Sequence, residues 1–316
     1  MRLKFWGTRG SIGVGMTNDE LREKLRAVLL KAAPGDVGDP VRVDAFIGRL
    51  PFIDRKTVGG NTACVEVSVG ESLLVFDAGS GLRLLGAELL RKHGPHIPFP
   101  IHVFLSHFHW DHIQGFSFFA PAFIKGNRVR FYSPNKDAYA LLKRQQDASY
   151  FPVKFEDFGA DIEFVSMDYG RPFTLDEVTI STLSLTHPGS STGYRVSDGR
   201  AALVYMSDTE IITLDNTEIE RYRAFVRGAD AAIVDAQYDF EESHIKRFWG
   251  HSSPFIFLDI LKGAGVGRVF MFHHDPGNTD RDIYDLHQRA RQYKELNCPD
   301  DKAEILIAIE GDEYLL

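Results

Sequence analysis

The chain of 316 residues has two cysteines, three tryptophans and fewer basic than acidic groups. Cys64 and Cys298 are too few and too isolated for a disulfide framework or a cysteine zinc site. Cys64 lies in the apolar pattern Cys64-Val-Glu-Val-Ser-Val69, so both read as ordinary structural thiols. Long hydrophobic runs are also missing. Residues 201–206 and 305–309 are among the longer ones, far short of the roughly 20 that span a bilayer, so no membrane partner is expected. The N-terminus turns at Gly7 to Gly10 before an apolar signal segment develops, which predicts a cytoplasmic address. With 36 Lys and Arg against 44 Asp and Glu, the net charge is −8. Polymeric nucleic acid is disfavoured as a partner, because that binding is driven largely by cations neutralising phosphates. A small anionic substrate is still compatible.

What is present is an average globular composition, 44 % hydrophobic and 25 % charged, with 12 histidines. Strand patterns occur at residues 3–6, 64–69, 73–77, 101–106, 129–132, 161–165, 178–185, 193–196, 201–207, 231–235, 268–272 and 304–309. Thr17-Asn-Asp-Glu20 is a capping box that opens a helix with Leu21, Leu25, Val28 and Leu29 on one face, and that helix stops at Pro34-Gly35. Further helices are predicted at 136–148, 217–227, 253–262 and 280–295, and no repeat or linker divides the chain. Residues 1–316 therefore read as one domain. Residues 14–58 look like an insertion in a strand-to-strand connection, either a lid or a surface decoration.

Chemistry concentrates after the strand at 101–106, where His107-Phe-His109-Trp-Asp111-His112 supplies four potential ligands within six residues. In an extended segment His107 and His109 project to the same side and can share one metal. Asp111 and His112 lie in the turn beyond, suited to a second metal about 3.5–4 Å away. A solvated polar loop explains any one of these residues, but not all four.

His-x-His-x-Asp-His at a strand end resembles the signature of the metallo-β-lactamase fold metallohydrolases. The resemblance extends along nearly the whole chain outside residues 14–58. Its other motifs match Phe76-Asp77-Ala-Gly-Ser-Gly81, His187 in Leu185-Thr-His-Pro-Gly189, Asp208 in Tyr205-Met-Ser-Asp-Thr209, and His273 or His274 in Phe270-Met-Phe-His-His-Asp-Pro276. His273 directly follows the strand pattern and is the choice for the last ligand, with His274 as its neighbour or outer partner.

The resemblance implies an α+β fold, a four-layer αβ/βα sandwich carrying an N-terminal helical insertion. It implies one metal held by His107, His109 and His187 and another by Asp111, His112 and His273, with Asp208 and a hydroxide bridging them. Asp77 would orient a ligating histidine. Nitrogen and oxygen donors without thiolate suit zinc first, with manganese and iron as alternatives.

Within that family the chain is most similar to the phosphodiesterase branch: phosphoribosyl cyclic phosphodiesterases, cyclic-nucleotide phosphodiesterases and the tRNA 3′-processing ribonuclease Z. Four stretches carry this: Gly7-Thr-Arg-Gly-Ser11, Gly59-Gly-Asn-Thr62, Asp235-Ala-Gln-Tyr238 and Gly250-His-Ser-Ser253. His251 stands just ahead of a helix N-terminus, which favours anions. The resemblance implies in-line attack of the bridging hydroxide on phosphorus, with Asp111 and Asp208 in the catalytic machinery and protonated His251 assisting the leaving oxygen. Asn61, Tyr238, Ser252 and Ser253 become candidate substrate contacts, although a helix cap is also explanation enough for the two serines.

The short interval between Asp208 and His251 has no room for a large inserted cap, and no basic Gly-rich arm stands between His112 and His187. A small, cyclic nucleotide or phosphoribosyl phosphodiester is therefore expected, ahead of RNA 3′ ends. A metal-dependent thioester or lactone hydrolase of the same fold is the alternative, ranked before the ribonuclease, although it has no special need for His251. A di-iron oxygen-reducing protein of this fold would have Glu in place of His109, and a degenerate scaffold would lack a ligand. Phe116, Phe118 and Phe119 could stack on a base, though core packing is the better explanation for most of the aromatics. A homodimer is expected on class grounds alone.

Overall fold

The computed structural model describes residues 1–211 and 215–316. Strands β1 (Arg2–Gly7), β2 (Cys64–Val69), β3 (Ser72–Phe76), β4 (Ile101–Phe104), β5 (Arg128–Ser133) and β6 (Asp161–Ser166) build one sheet. Strands β7 (Phe173–Leu175), β8 (Val178–Leu185), β9 (Ser191–Ser197), β10 (Ala202–Met206), β11 (Ala231–Asp235), β12 (Arg268–Phe272) and β13 (Glu304–Ile307) build the other, and β14 (Glu313–Leu315) returns to the first. The orders are β14-β1-β2-β3-β4-β5-β6 and β13-β12-β11-β10-β9-β8-β7. Helices are α1 (Asn18–Lys31), α2 (Pro40–Arg49), α3 (Phe52–Arg55), α4 (Gly81–His93), α5 (Trp110–Ile113), α6 (Ala138–Arg144), α7 (Asn216–Val226), α8 (Phe240–Ile245), α9 (Pro254–Leu261) and α10 (Asp280–Asn297).

Alternation in the strands turns one set of apolar side chains inward between the sheets, among them Phe5, Val65, Phe76, Phe104, Tyr194, Tyr205 and Phe270. Phe76 stacks on Phe104 with centroids 5.4 Å apart and also meets Tyr194 and Tyr205. The opposite faces are covered by helices. Leu82, Leu85 and Leu89 of α4 pack on the first sheet, and Tyr222 of α7, Phe257 of α9 and Leu286 of α10 pack on the second. This is the expected αβ/βα sandwich, in which each fully buried large apolar side chain contributes about 1.5–3 kcal/mol. Among the described residues no helix is long and apolar enough to cross a membrane.

Several elements depart from the sequence pattern. Helix α4 was hidden by Gly81 and Gly86, which read as turn signals. Gly86 instead packs where an added Cβ would lie 2.8 Å from the Phe119 ring. Strands β7 and β14 are three-residue edges, too short to register as a pattern. Phe116 and Phe119 are fully buried beside Phe131 and Phe158, so they are core, whereas Phe118 is exposed against Phe151.

Residues 14–58 form α1, α2 and α3, and the Thr17–Glu20 capping box is present. The apolar face of α1 does not point into a core. Leu21, Leu25 and Leu29 are exposed, Leu29 by 69 %, while Lys24 and Lys31 reach inward to Asp280 and Asp54. The Lys31–Asp54 pair ties α1 to α3 within the insertion, and the insertion is held to the sandwich by Lys24 on Asp280 and by Phe52 against Tyr284 of α10.

Between the sheets' edges, His102 is buried and its Nδ1 lies 2.8 Å from the Tyr132 hydroxyl. Burial pulls its pKa down to about 4. Below about pH 6.5 the unfolded chain binds a proton that the fold refuses, so this group's effect is absent above that value and stability falls as pH drops towards 4. The loss reaches about 3 kcal/mol at most. Urea unfolding between pH 4 and 7 should show His102→Gln flattening this limb relative to wild type; equal slopes would place the acid sensitivity elsewhere.

Candidate metal centre

Strands β3 and β4 run parallel, as do β10, β11 and β12. Their C-terminal ends bring Asp77, His107, Asp208, Asp235 and His273 to one edge of the sandwich, the edge where parallel sheets collect functional groups. Asp77, Asp208 and His273 all adopt positive φ, 61°, 52° and 60°. Such backbone is uncommon for residues with a side chain, costs on the order of 1–3 kcal/mol, and clusters at functional sites. Here the kink ends each strand and turns Asp208 and His273 into the clusters and Asp77 onto His112 behind them.

Two clusters that share no residue result, each with its donor atoms within 4.8 Å of one another. One is His107, His109 and His187; the other is Asp111, His112, Asp208 and His273. A further group, Asp208, Asp235, His251 and His273, meets the same spacing and overlaps the second. Asp208 faces both of the separate clusters. Its Oδ1 is 3.8 Å from His107 Nε2 and 3.9 Å from His187 Nε2, and its Oδ2 is 3.1 Å from His112 Nε2 and 3.4 Å from His273 Nε2. Asp111 Oδ2 lies 3.2 Å from His112 Nε2 and 3.0 Å from His273 Nε2, and accepts the Ser11 backbone N–H at 2.7 Å. All seven expected ligands therefore converge.

The imidazoles are oriented from behind. His112 donates through Nδ1 to Asp77 Oδ2 at 2.8 Å, a carboxylate that also accepts from the Ser106 N–H, the Ser106 hydroxyl and the Tyr205 hydroxyl. His273 donates through Nδ1 to Gln237 Oε1 at 2.9 Å, and His187 through Nδ1 to the Gly250 carbonyl at 2.8 Å. Each leaves Nε2 free for the cleft, the arrangement that metal-ligating histidines use. Gly10 and Gly250 permit it: a Cβ would lie 2.4 Å from the His273 ring at Gly10 and 2.1 Å from His187 Nδ1 at Gly250.

The donor set asks for a cation. His112 and His273 face each other nitrogen to nitrogen at 3.2 Å, as do His187 and His109 at 3.1 Å, and the buried His107 Nε2 has no hydrogen-bond partner. Burial pushes the pKa of His107 well down. On His112 burial acts the same way but is outweighed by Asp208, Asp111 and Asp77, which raise its pKa well above the usual value. Asp208 and Asp111 are held low by the imidazoles despite burial. A pocket of buried carboxylates that draws protons onto a buried imidazole fits divalent metal ions of the nitrogen- and oxygen-binding kind.

His251 lies beside both clusters, its ring stacked on His273 at 4.9 Å and edge-on to Tyr238 at 5.6 Å. Its Nδ1 donates to Asp235 Oδ2 at 2.8 Å. Burial disfavours charge on it, but Asp235 foremost, with Asp208 and Asp111, outweighs burial and the pKa is pushed up to about 9. Asp235 also accepts the Ser252 and Gln237 N–H groups. Asp235 and Gln237 were visible in the sequence only as members of Asp235-Ala-Gln-Tyr238. Their orienting roles needed the tertiary contact.

The remaining candidates are engaged internally. Asn61 donates to Glu310 Oε1 and accepts from the Ser80 hydroxyl; Ser252 accepts the Ile211 N–H; Ser253 caps α9 through the Phe255 N–H. His274 turns away, its Nε2 on the Ala308 carbonyl at 3.1 Å, and hydrogen-bonds no ligand. The residues lining the cleft over the clusters are Ser11, His109, Trp110, Asp111, Asp208 and His251. None belongs to 14–58, which docks on α10.

A family model described as a beta-lactamase superfamily domain matches residues 73–274, which include all seven convergent ligands and His251. Ribonuclease Z of Thermoplasma acidophilum is 20 % identical over 291 residues, spanning 78 % of this chain and 91 % of its own. Yeast PDE1 superposes with a TM-score of 0.64 at 13 % identity, covering 100 % of this chain and 99 % of that one. A diphosphatase from the PhnP family gives 0.60 at 18 % identity, with 100 % and 97 % covered. The matched span, the sandwich and the histidine–aspartate clusters agree: the chain belongs to the beta-lactamase superfamily and is a metal-dependent hydrolase of the metallo-β-lactamase fold.

Proposed function

We infer that the protein is a phosphodiesterase for a small nucleotide or phosphoribosyl phosphodiester, cyclic ones first, working with two divalent ions, one at each cluster. The observation that carries this reading is the His251–Asp235 pair set against a two-part cluster bridged by Asp208. Zinc is the first choice of metal, with manganese and iron next. Ions bound there supply Lewis acidity toward water and phosphoryl oxygens.

The chain's own residues do the rest. Asp208 offers one oxygen to each cluster. Asp111 lines the cleft and can take a proton from the attacking water. His251, fixed through Nδ1 on Asp235, keeps Nε2 for the leaving oxygen and can donate a proton to it. The cleft, about 410 Å³, falls in the range of small-molecule sites. Trp110, 75 % exposed at its mouth, offers a face for a base. The two buried free thiols accord with a reducing, cytoplasmic setting.

A second reading, a ribonuclease acting on RNA 3′ ends, is favoured by the ribonuclease Z relatives. A thioester or lactone hydrolase makes no particular use of His251 and Asp235. Protein reconstituted with zinc or manganese should hydrolyse bis(p-nitrophenyl) phosphate and bind two metal equivalents. Faster turnover of thioesters or lactones than of any phosphodiester would overturn the reading, and a marked preference for RNA over cyclic nucleotides would replace it with the second.

A further inference from the structure

We propose that α8 and the loop behind it form a subsite for a second phosphate of the substrate, next to the metal clusters; this deepens the phosphodiesterase reading and rests on it. A second cavity of about 240 Å³ shares one wall, His251, with the cleft over the clusters. That volume lies below the roughly 300 Å³ at which pockets for whole small molecules begin, so it suits one substituent of a substrate whose reacting group sits on the other side of His251.

Its lining carries donors. His244 and Arg247 present an imidazole and a guanidinium, Ser243 lines it with a hydroxyl that already donates to the Phe240 carbonyl, and Phe240 adds an exposed ring. Among the described residues Arg247 makes no ion pair. Its guanidinium rests over the Phe248 ring, 5.4 Å from the centroid, whereas neighbouring Lys246 is taken up by Glu242 and Asp275. A planar guanidinium free of carboxylates is the group best matched to phosphate oxygens.

The one carboxylate among the described lining residues, Glu210, is 5 % exposed and already committed. Its oxygens accept the Phe248 N–H at 2.6 Å and the Gly250 N–H at 2.9 Å. That commitment also fixes the subsite relative to the chemistry. The segment Arg247 to Gly250 carries the guanidinium at one end and, at the other, the carbonyl that orients His187. A phosphate on Arg247 is thus held in register with the clusters, and the substrate class is a phosphodiester that bears a further phosphate, as in an oligonucleotide end, a dinucleotide or a phosphorylated cyclic phosphate.

Binding reads this without turnover. Calorimetric titration of the metal-loaded protein with adenosine 3′-phosphate and with adenosine 3′,5′-bisphosphate should show the bisphosphate binding about tenfold tighter. In Arg247→Gln that ratio should fall to near one, and Arg247→Lys should fall between, since a point charge keeps part of the attraction. The hydrolysis of bis(p-nitrophenyl) phosphate, which has no second phosphate, should stay within twofold in both variants, which also reports that they are folded. A ratio near one in wild type, or a tenfold ratio that survives in Arg247→Gln, overturns the subsite. Absence of bis(p-nitrophenyl) phosphate hydrolysis in wild type instead overturns the phosphodiesterase reading.

Discussion

Asp208→Asn should abolish turnover and lower the metal content together. The substitution keeps the side chain's shape, and Asn tolerates the left-handed backbone that Asp208 adopts. What it removes is charge from the one carboxylate whose two oxygens face separate clusters. Losing about 4 kcal/mol of charge stabilisation corresponds to roughly 10³-fold in rate. Steady-state hydrolysis of bis(p-nitrophenyl) phosphate and metal analysis after dialysis check both parts. Activity within tenfold of wild type, at full metal content, would mean that Asp208 does not bridge.

The second large effect is expected at His251, and it should separate chemistry from metal binding. His251→Ala should lose about 10²- to 10⁴-fold in kcat, the usual contribution of a positioned proton donor, while keeping its metal. His251 is protonated below a pKa pushed up to about 9, so the rate should fall as pH rises through that group's pKa, and this alkaline limb should vanish in the variant. Divalent ions in the neighbouring clusters lower that pKa, so the limb lies at or below about pH 9. Asp235→Asn should move it further down, since Asp235 is foremost in raising it. Loss of a metal equivalent along with activity would instead make His251 a ligand, an outcome its place in a group with Asp208, Asp235 and His273 gives a physical route to.

Legibility followed the range of the interactions. His107, His109, Asp111 and His112 could be read because four ligand types fall within six residues, a local density with no structural explanation. His187, Asp208 and His273 are single residues at strand ends, and only their order in the resemblance singled them out. Choosing His273 over His274 needed the strand pattern together with the resemblance, which puts the ligand directly after that strand, and the fold gives the reason: positive φ turns His273 into the cluster, while His274 reaches the Ala308 carbonyl. The orienting layer was a different matter. Asp235 on His251, Gln237 on His273, Glu210 on the Phe248 and Gly250 amides, and Gly250 on His187 join residues far apart in the chain, through contacts that no spacing records.

The same divide runs through the architecture. By itself the sequence determined all the strands but the three-residue edges β7 and β14, the capping box, the ligand-dense turn and the acidic balance, because alternation, side-chain capping and charge are local properties of the chain. Tertiary structure alone decided that α1 turns its leucines outward, since Lys24 finds Asp280 on an element remote in sequence and Lys31 finds Asp54 on α3. It decided that Ser252 accepts the Ile211 N–H and that Asn61 donates to Glu310, and that Arg247 opens onto a cavity walled by His251. Which partner a polar side chain meets is fixed by the packing of two sheets, and that geometry exists only once the chain has folded.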